Sequence, residues 1–234
     1  MSMEAVFWTS VLLIAYVYVG YPLLLAGWSA MWPRPVAKRR PAAGEPWRSV
    51  SVVIAARNEA LRLPARLRNL IDQHYPGGLE IIVVSDGSSD GTASAVAPFF
   101  PAVRLIEIDR RGKAAALNAG IAAATGDIIV FADARQRFAT GAITELVANF
   151  SDPLVGGVTG ELVLDCEQAS PPTSSTVAEG VGIYWSYEKW LRRHESTIAS
   201  TLVWTLLTEP TAIATALGTG NLRLLVTTVL ESLR

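Results

Sequence analysis

The chain has few of the residues that build metal and redox centres. Cys166 is its only cysteine, which excludes an intrachain disulfide and a thiolate cluster for zinc or iron–sulfur, and suits a reducing compartment. His74 and His194 are the only histidines, too few for a histidine-rich metal site. Charge of one sign is not in excess either: 20 Lys and Arg stand against 21 Asp and Glu, so the sequence offers no electrostatic basis for holding nucleic acid. Nucleotide loops fail on spacing. Gly112-Lys113 has Glu107 where a Walker A loop needs its upstream glycine, and no strand pattern runs into G-x-G-x-x-G. DGSSDG from Asp86 is not a calcium loop, because its twelfth position is Ala97 instead of a bidentate glutamate.

What the chain has is apolar length. Half of its 234 residues are hydrophobic, and from Ala5 to Trp32 there is no charge at all. About 20 apolar residues in a helix cross a bilayer core, so this run is long enough even with Gly20 and Pro22 inside it. A cleaved signal peptide would have a basic start and a shorter core, whereas this chain begins MSME. Residues 1–33 therefore read as an uncleaved, single-pass membrane anchor. Arg34, Lys38, Arg39 and Arg40 follow directly, which places the rest of the chain on the cytoplasmic side. Residues 33–48 carry four prolines without apolar periodicity, and 34–48 read as a linker.

From Ser49 strand and helix patterns alternate. VSVVIAA, LEIIVVSD, VRLIEID, GDIIVFAD and VGGVTGELVLD are short apolar runs suited to buried strands. Between them, helices are expected over Glu59 to Gln73, TASAVAPFF, KAAALNAGIAAAT and TGAITELVANF. The alternation implies an α/β domain over residues 49–196, a mostly parallel sheet with helices on both faces. Ligands of such sheets lie beyond the carboxyl ends of the strands. The polar residues at those ends are Arg57-Asn58-Glu59, then Asp86 with Ser88, Ser89 and Asp90, and then Asp133 with Arg135. Arg110, Arg111 and Lys113 stand between the third strand and its helix.

SVVIAARNEA, EIIVVSDGSSDGT, RRGKAAALNAG and the strand into FADAR, in that order, resemble the processive, membrane-anchored family 2 glycosyltransferases, which include cellulose, hyaluronan and poly-N-acetylglucosamine synthases. The resemblance implies a GT-A fold and inverting transfer of a sugar from a nucleotide sugar, a UDP-sugar, to a growing glycan or lipid-linked acceptor. It sets Ala55 to Glu59 beside the base and ribose, Asp86 on the base, and Lys113 near the diphosphate. Asp133 is set as the catalytic carboxylate that would hold Mg2+ or Mn2+. Each position also has a plainer reading. Asp86 and Asp90 can brace a turn, Lys113 can be a solvated helix-start lysine, and Asp133 can cap the helix beyond it. The family's Asp-x-Asp is here Asp133-Ala134-Arg135, and Arg135 is either a fixed cation for the diphosphate or a solvated side chain.

The segment Val177 to Ser196 is expected as a helix whose Tyr184, Trp185, Tyr187 and Trp190 pack a core, rest on a membrane surface or stack on sugar rings. Residues 197–234 show neither the family's acidic base motif nor its Gln-x-x-Arg-Trp. They read as a tail of a truncated or frame-shifted copy, with a non-catalytic sugar-nucleotide-binding remnant as the alternative function.

Overall fold

The computed structural model describes residues 2–160, 176–198 and 223–226. Two compact units divide it, Met1–Val36 with Val163–Thr201 and Ala37–Leu162 with Leu202–Arg234.

The first unit is helical. Helix α1 (Met3–Ala15) runs through a π-helical turn, Tyr16–Gly20, into α2 (Tyr21–Met31), and together they form one helix long and apolar enough to cross a membrane. Ser2 starts it by accepting the Ala5 N–H, a capping bond that satisfies one of the four free donors of a first turn. The π turn has a local cause. Pro22 has no N–H for the carbonyl of Tyr18, four residues back, and its ring crowds that carbonyl. The register slips so that Tyr21 N donates to Tyr16 O, and the Tyr187 hydroxyl donates to Tyr18 O at 3.4 Å. Tyr187 belongs to helix α7 (Thr176–Ile198). Tyr21 also donates to Glu195 at 2.8 Å, so α7 lies alongside α2. Phe7, Trp8, Leu12, Leu13 and Ile14 remain exposed.

The second unit is the α/β domain. In chain order it holds β1 (Val50–Ala56), α3 (Leu63–Ile71), β2 (Leu79–Asp86), α4 (Thr92–Val96), β3 (Val103–Ile108), α5 (Lys113–Ala123), β4 (Ile128–Ala132), α6 (Ala142–Val147), β5 (Gly157–Val158) and β6 (Arg223–Val226). The six strands form one sheet in the order β3-β2-β1-β4-β6-β5, every pair parallel. Continuous Val and Ile runs suit such strands because both faces are covered, and β1, β2 and β4 are buried almost throughout. One face packs on Leu63, Leu67 and Leu70 of α3 with Ile143, Val147 and Phe150; the other packs on Ala116, Leu117 and Ile121 of α5. Gly120 lets α5 approach closely. A Cβ there would stand 2.3 Å from Val53 Cγ1.

The parallel sheet and its helices follow the expected α/β plan with several elements shorter than expected: α4 gives way to a 3-10 turn at Ala97, and among the described residues β5 is Gly157–Val158 alone. The helix expected from Glu59 begins only at Leu63: Pro64 has no N–H to donate to the Ala60 carbonyl, and the N–H groups of residues 58–60 go to the side chains of Ser88, Thr92 and Asp90. The proline-rich segment has structure too. Lys38 and Arg40 both pair with Glu145 of α6, Arg39 N donates to Ser151 Oγ, and Ala37 N donates to Asp152. The tail expectation lies outside the described residues apart from Thr197, Ile198 and β6, as do residues 161–165 of the fifth expected strand and Cys166.

Candidate active site at the strand exits

Because the strands are parallel, β1, β2, β3 and β4 all end on one edge. Chain order reverses there between β1 and β4, the position where open α/β sheets bind ligands. Register fixes the spacing. Ala132 lies level with Ile54, and Ala55 with Val84, so the exits of β2 and β4 flank β1 about 10 Å apart at two strand spacings.

Asp86 ends β2 and is only 4% exposed. Its carboxylate accepts from Arg111 N at 2.7 Å and from Gly112 N at 3.0 and 3.2 Å, fastening the β3–α5 loop to the end of β2. The preceding turn needs glycine. Gly87 has φ +58, and a Cβ on it would meet Arg110 N at 2.8 Å. Lys113 follows Gly112 as the first residue of α5 and is exposed at this edge. Thus Asp86 braces a loop, as the plainer reading holds, and the loop it braces carries Lys113. A carboxylate has about four acceptor positions, so the bonds to Arg111 and Gly112 do not exhaust it.

The β1 and β2 exits are stitched together. Asn58, at φ 54, accepts from Ser89 N at 2.9 Å and donates from its own N–H to Ser88 Oγ. Glu59 N donates to Thr92 Oγ1, and Ala60 N to Asp90. Asp90 also accepts from Thr92 N and Oγ1, and these bonds, the Thr92 hydroxyl's foremost, hold its carboxyl below the usual range. Ala55 is partly buried in β1, opposite Val84.

Asp133 lies one residue beyond β4 and is partly exposed; its Oδ1 accepts from Arg135 N at 2.8 Å. The Arg135 side chain turns back to β1, where Nε donates to Glu59 Oε1 at 2.9 Å, and Arg62 donates to the other oxygen at 3.2 Å. The cation that stands at the second position of the Asp-x-Asp therefore joins the exits of β1 and β4. Among the described residues no group of three or more His, Cys, Asp and Glu gathers. At the exit of β4 itself the donor set is one carboxylate, Asp133, with open lone pairs. That fits magnesium or manganese, which take one or two carboxylates and fill the remaining positions with phosphate oxygens and water.

Arg66 gave no signal by motif. It sits on α3 with Leu63, Leu67 and Leu70, on the face the helix buries, and is 1% exposed. A charge at the fourth position of an otherwise apolar i, i+4, i+7 stripe is the pattern that would have found it. Its guanidinium stacks on Phe138 at 4.1 Å and donates through Nη1 to Asn69 at 2.8 Å. Burial pushes its pKa down to about 10, and the charge of Asp133 works against that shift.

The groove lined by Leu79, Glu80, Phe100, Pro101 and Arg104 lies at the opposite edge of the sheet. Its charged groups are already engaged, Glu80 by Ser51 and Thr125, Arg104 by the Ala123 carbonyl.

A parallel sheet with acidic and basic groups at the switch-point exits defines an α/β domain, of GT-A type by its structural neighbours. The family model for glycosyl transferase family 2 matches residues 51–201, and the chain belongs to that family. It is 35% identical over 136 residues to an N-acetylglucosaminyltransferase of Mesorhizobium japonicum, covering 55% of this chain and 32% of the relative. It is 36% identical over 140 residues to the pre-mycofactocin glycosyltransferase of Mycobacterium tuberculosis, covering 58% and 28%. Among solved structures, a mannosyltransferase from Pyrobaculum calidifontis in complex with GDP-Man and Mn2+ superposes with TM-score 0.54 at 32% identity, over 64% of this chain and 46% of that one. The match spans about a third of the length of several curated relatives and about two thirds of another.

Proposed function

We propose that the chain is a glycosyltransferase that binds a nucleotide sugar, a UDP-sugar, across the strand exits and transfers the sugar with inversion to a glycan or lipid-linked acceptor. The observation that carries this reading is Asp133 at the exit of β4, beside β1 at the switch point, within the segment matched by the family model. Asp86 would accept a hydrogen bond from the base, with Ala55 to Glu59 along the base and ribose. Lys113 would stand by the diphosphate, as a positive charge offsets phosphate oxygens. Asp133 would hold Mg2+ or Mn2+, and the bound ion would offset the charge of the departing nucleoside diphosphate. The Mn2+ bound with GDP-Man in the Pyrobaculum mannosyltransferase supports the cation assignment.

The apolar helix Met3–Met31 would anchor the domain, with Arg34 and the Lys38-Arg39-Arg40 run on the cytoplasmic side. Protease accessibility in sealed vesicles tests that sidedness.

The activity is tested by incubating membranes carrying the chain with radiolabelled UDP-sugars and with GDP-mannose as the comparison. Incorporation from a UDP-sugar that Asp133→Ala abolishes is the expected result. Equal incorporation by the variant would overturn Asp133 as the catalytic carboxylate. Tight binding of the donor without turnover would favour a sugar-nucleotide-binding remnant.

A further inference from the structure

The loop that leaves β4 carries Asp133 and Arg135, and from Gln136 to Ala139 it runs without helix, strand or turn. A side chain must then satisfy its partly buried backbone, because a peptide group shut away from water without a partner is costly. Asn69 of α3 supplies that partner. Its Oδ1 accepts from Phe138 N at 2.8 Å, and its Nδ2 donates to Phe138 O at 2.9 Å. A side-chain amide can do both at once, as a neighbouring strand's backbone would, since its oxygen accepts and its NH2 donates. The two residues are 69 positions apart, so the contact is wholly tertiary. Asn69 is itself held. Arg66 Nη1 donates to the same Oδ1 at 2.8 Å, and the Arg66 guanidinium stacks on the Phe138 ring at 4.1 Å. Gln73 Nε2 reaches the Asn69 carbonyl at 3.3 Å and the Phe138 carbonyl at 3.4 Å. The other end of the loop is fixed as well: Asp133 Oδ1 accepts from Arg135 N, Arg135 Nε donates to Glu59, and Ala134 between them is buried in the core. The segment from Asp133 to Phe138 is thus pinned to the exit of β1 at its start and to α3 at its end.

We propose that Asn69 is a positioning residue for the donor site: by holding both backbone groups of Phe138 it ties the strand-exit loop to α3 and sets where the Asp133 carboxylate stands. A site supplied by one carboxylate has no second acidic ligand to correct a misplaced first one, and binding groups need to be held within about 0.5 Å of their working position. The loop has no ladder of its own to do this, so the precision comes from α3, a rigid element packed under the sheet. The effect on donor binding rests on the donor-site reading of Asp133 given above; the tether of the loop does not.

The test compares Asn69→Ala with Val103→Ala, a buried truncation at the start of β3 that loosens the fold away from the strand exits, both in the full chain in detergent. The first readout needs no ligand. Trypsin cleavage after Arg135 and Arg137, followed by mass spectrometry, should be about tenfold faster in Asn69→Ala than in Val103→Ala, because local opening of the loop and not global unfolding exposes those bonds. Equal rates in the two variants would overturn the tether. The second readout is Mn2+ affinity with UDP present, taken well below either melting temperature from the electron paramagnetic resonance of free Mn2+. Asn69→Ala should bind about tenfold more weakly and Val103→Ala as the native chain does. An unchanged affinity in Asn69→Ala, or an equal loss in both variants, would overturn the positioning role. Should Asn69→Ala not fold, Asn69→Asp takes its place in both measurements with the same outcomes, since it keeps the acceptor for Phe138 N and Arg66 but offers Phe138 O no donor. If the native chain binds neither UDP nor Mn2+, the donor-site reading fails and the positioning role with it, while the digestion still decides whether Asn69 tethers the loop.

Discussion

Arg135 Nε donates to Glu59 Oε1 at 2.9 Å, joining the exit of β4 to the exit of β1 across the switch point of the sheet. Glu59 is buried while the Arg135 side chain is 51% exposed. The pair is therefore screened by solvent on one side only. Arg135→Ala leaves a buried carboxylate with Arg62 as its remaining partner at 3.2 Å, and should cost about 1 kcal/mol in urea denaturation.

Arg135→Asp restores the Asp-x-Asp pattern but sets a new carboxylate against Glu59. The variant should melt below the native chain without divalent ions, because like charges repel in a partly buried site. Mn2+ should restore much of that loss, since ligand binding to the folded state alone raises its stability. Melting curves with and without Mn2+ check both parts.

Asp86→Asn should destabilise the domain and weaken nucleotide binding together. The amide keeps one acceptor oxygen and turns an N–H pair toward the donors Arg111 N and Gly112 N, which share the native carboxylate. Loss of a charge-assisted bond of this kind costs about 1–3 kcal/mol. Urea denaturation and a UDP titration on the same preparation should show both losses.

Gly120→Ala should destabilise by about 1–3 kcal/mol through overpacking, because its methyl would overlap Val53 Cγ1 on the central strand. Gly91→Ala, at a position with open space but φ +83, should cost through backbone strain instead, about 1 kcal/mol. Thermal melts of the two variants should be additive, as the sites share no contacts.

Acid should unfold the domain through its hydrogen-bonded carboxylates. The Ser49 hydroxyl and then the Ser49 N–H, donating to Asp127 at 2.7 and 2.9 Å, hold that carboxyl below its ordinary range. A depressed carboxyl stabilises the fold fully above the unfolded pKa of about 3.9, and the contribution is lost as pH falls through the folded value. Stability should thus drop below about pH 4, and Asp127→Asn should flatten that limb of the profile. Circular dichroism during acid titration measures the difference.

Strands β1 to β4 were legible because their Val and Ile runs are short, continuous and bounded by turn residues. The ligand edge followed from the alternation. The start of α3 was marked in its own sequence by Pro64, which has no N–H for the Ala60 carbonyl, whereas the bonds from the Glu59 and Ala60 N–H groups to Thr92 and Asp90, some thirty positions later, were not legible. Asp86 was visible as a strand-end carboxylate, yet its partners are backbone donors of the next β–α loop, which periodicity does not reveal. Arg135 stood out as a departure from Asp-x-Asp, but its bond to Glu59 depends on β1 and β4 being neighbours, a fact of topology. Arg66 was readable as a charge on an apolar stripe; that it lacks a carboxylate within hydrogen-bond reach could be seen only in three dimensions.

Calorimetric titration of the full chain in detergent with UDP-sugars, with and without Mn2+, tests most directly whether the strand exits grip an activated sugar donor. Saturable binding that Mn2+ strengthens and that Asp133→Ala removes is the expected result. Binding that ignores both Mn2+ and the loss of Asp133 would contradict it.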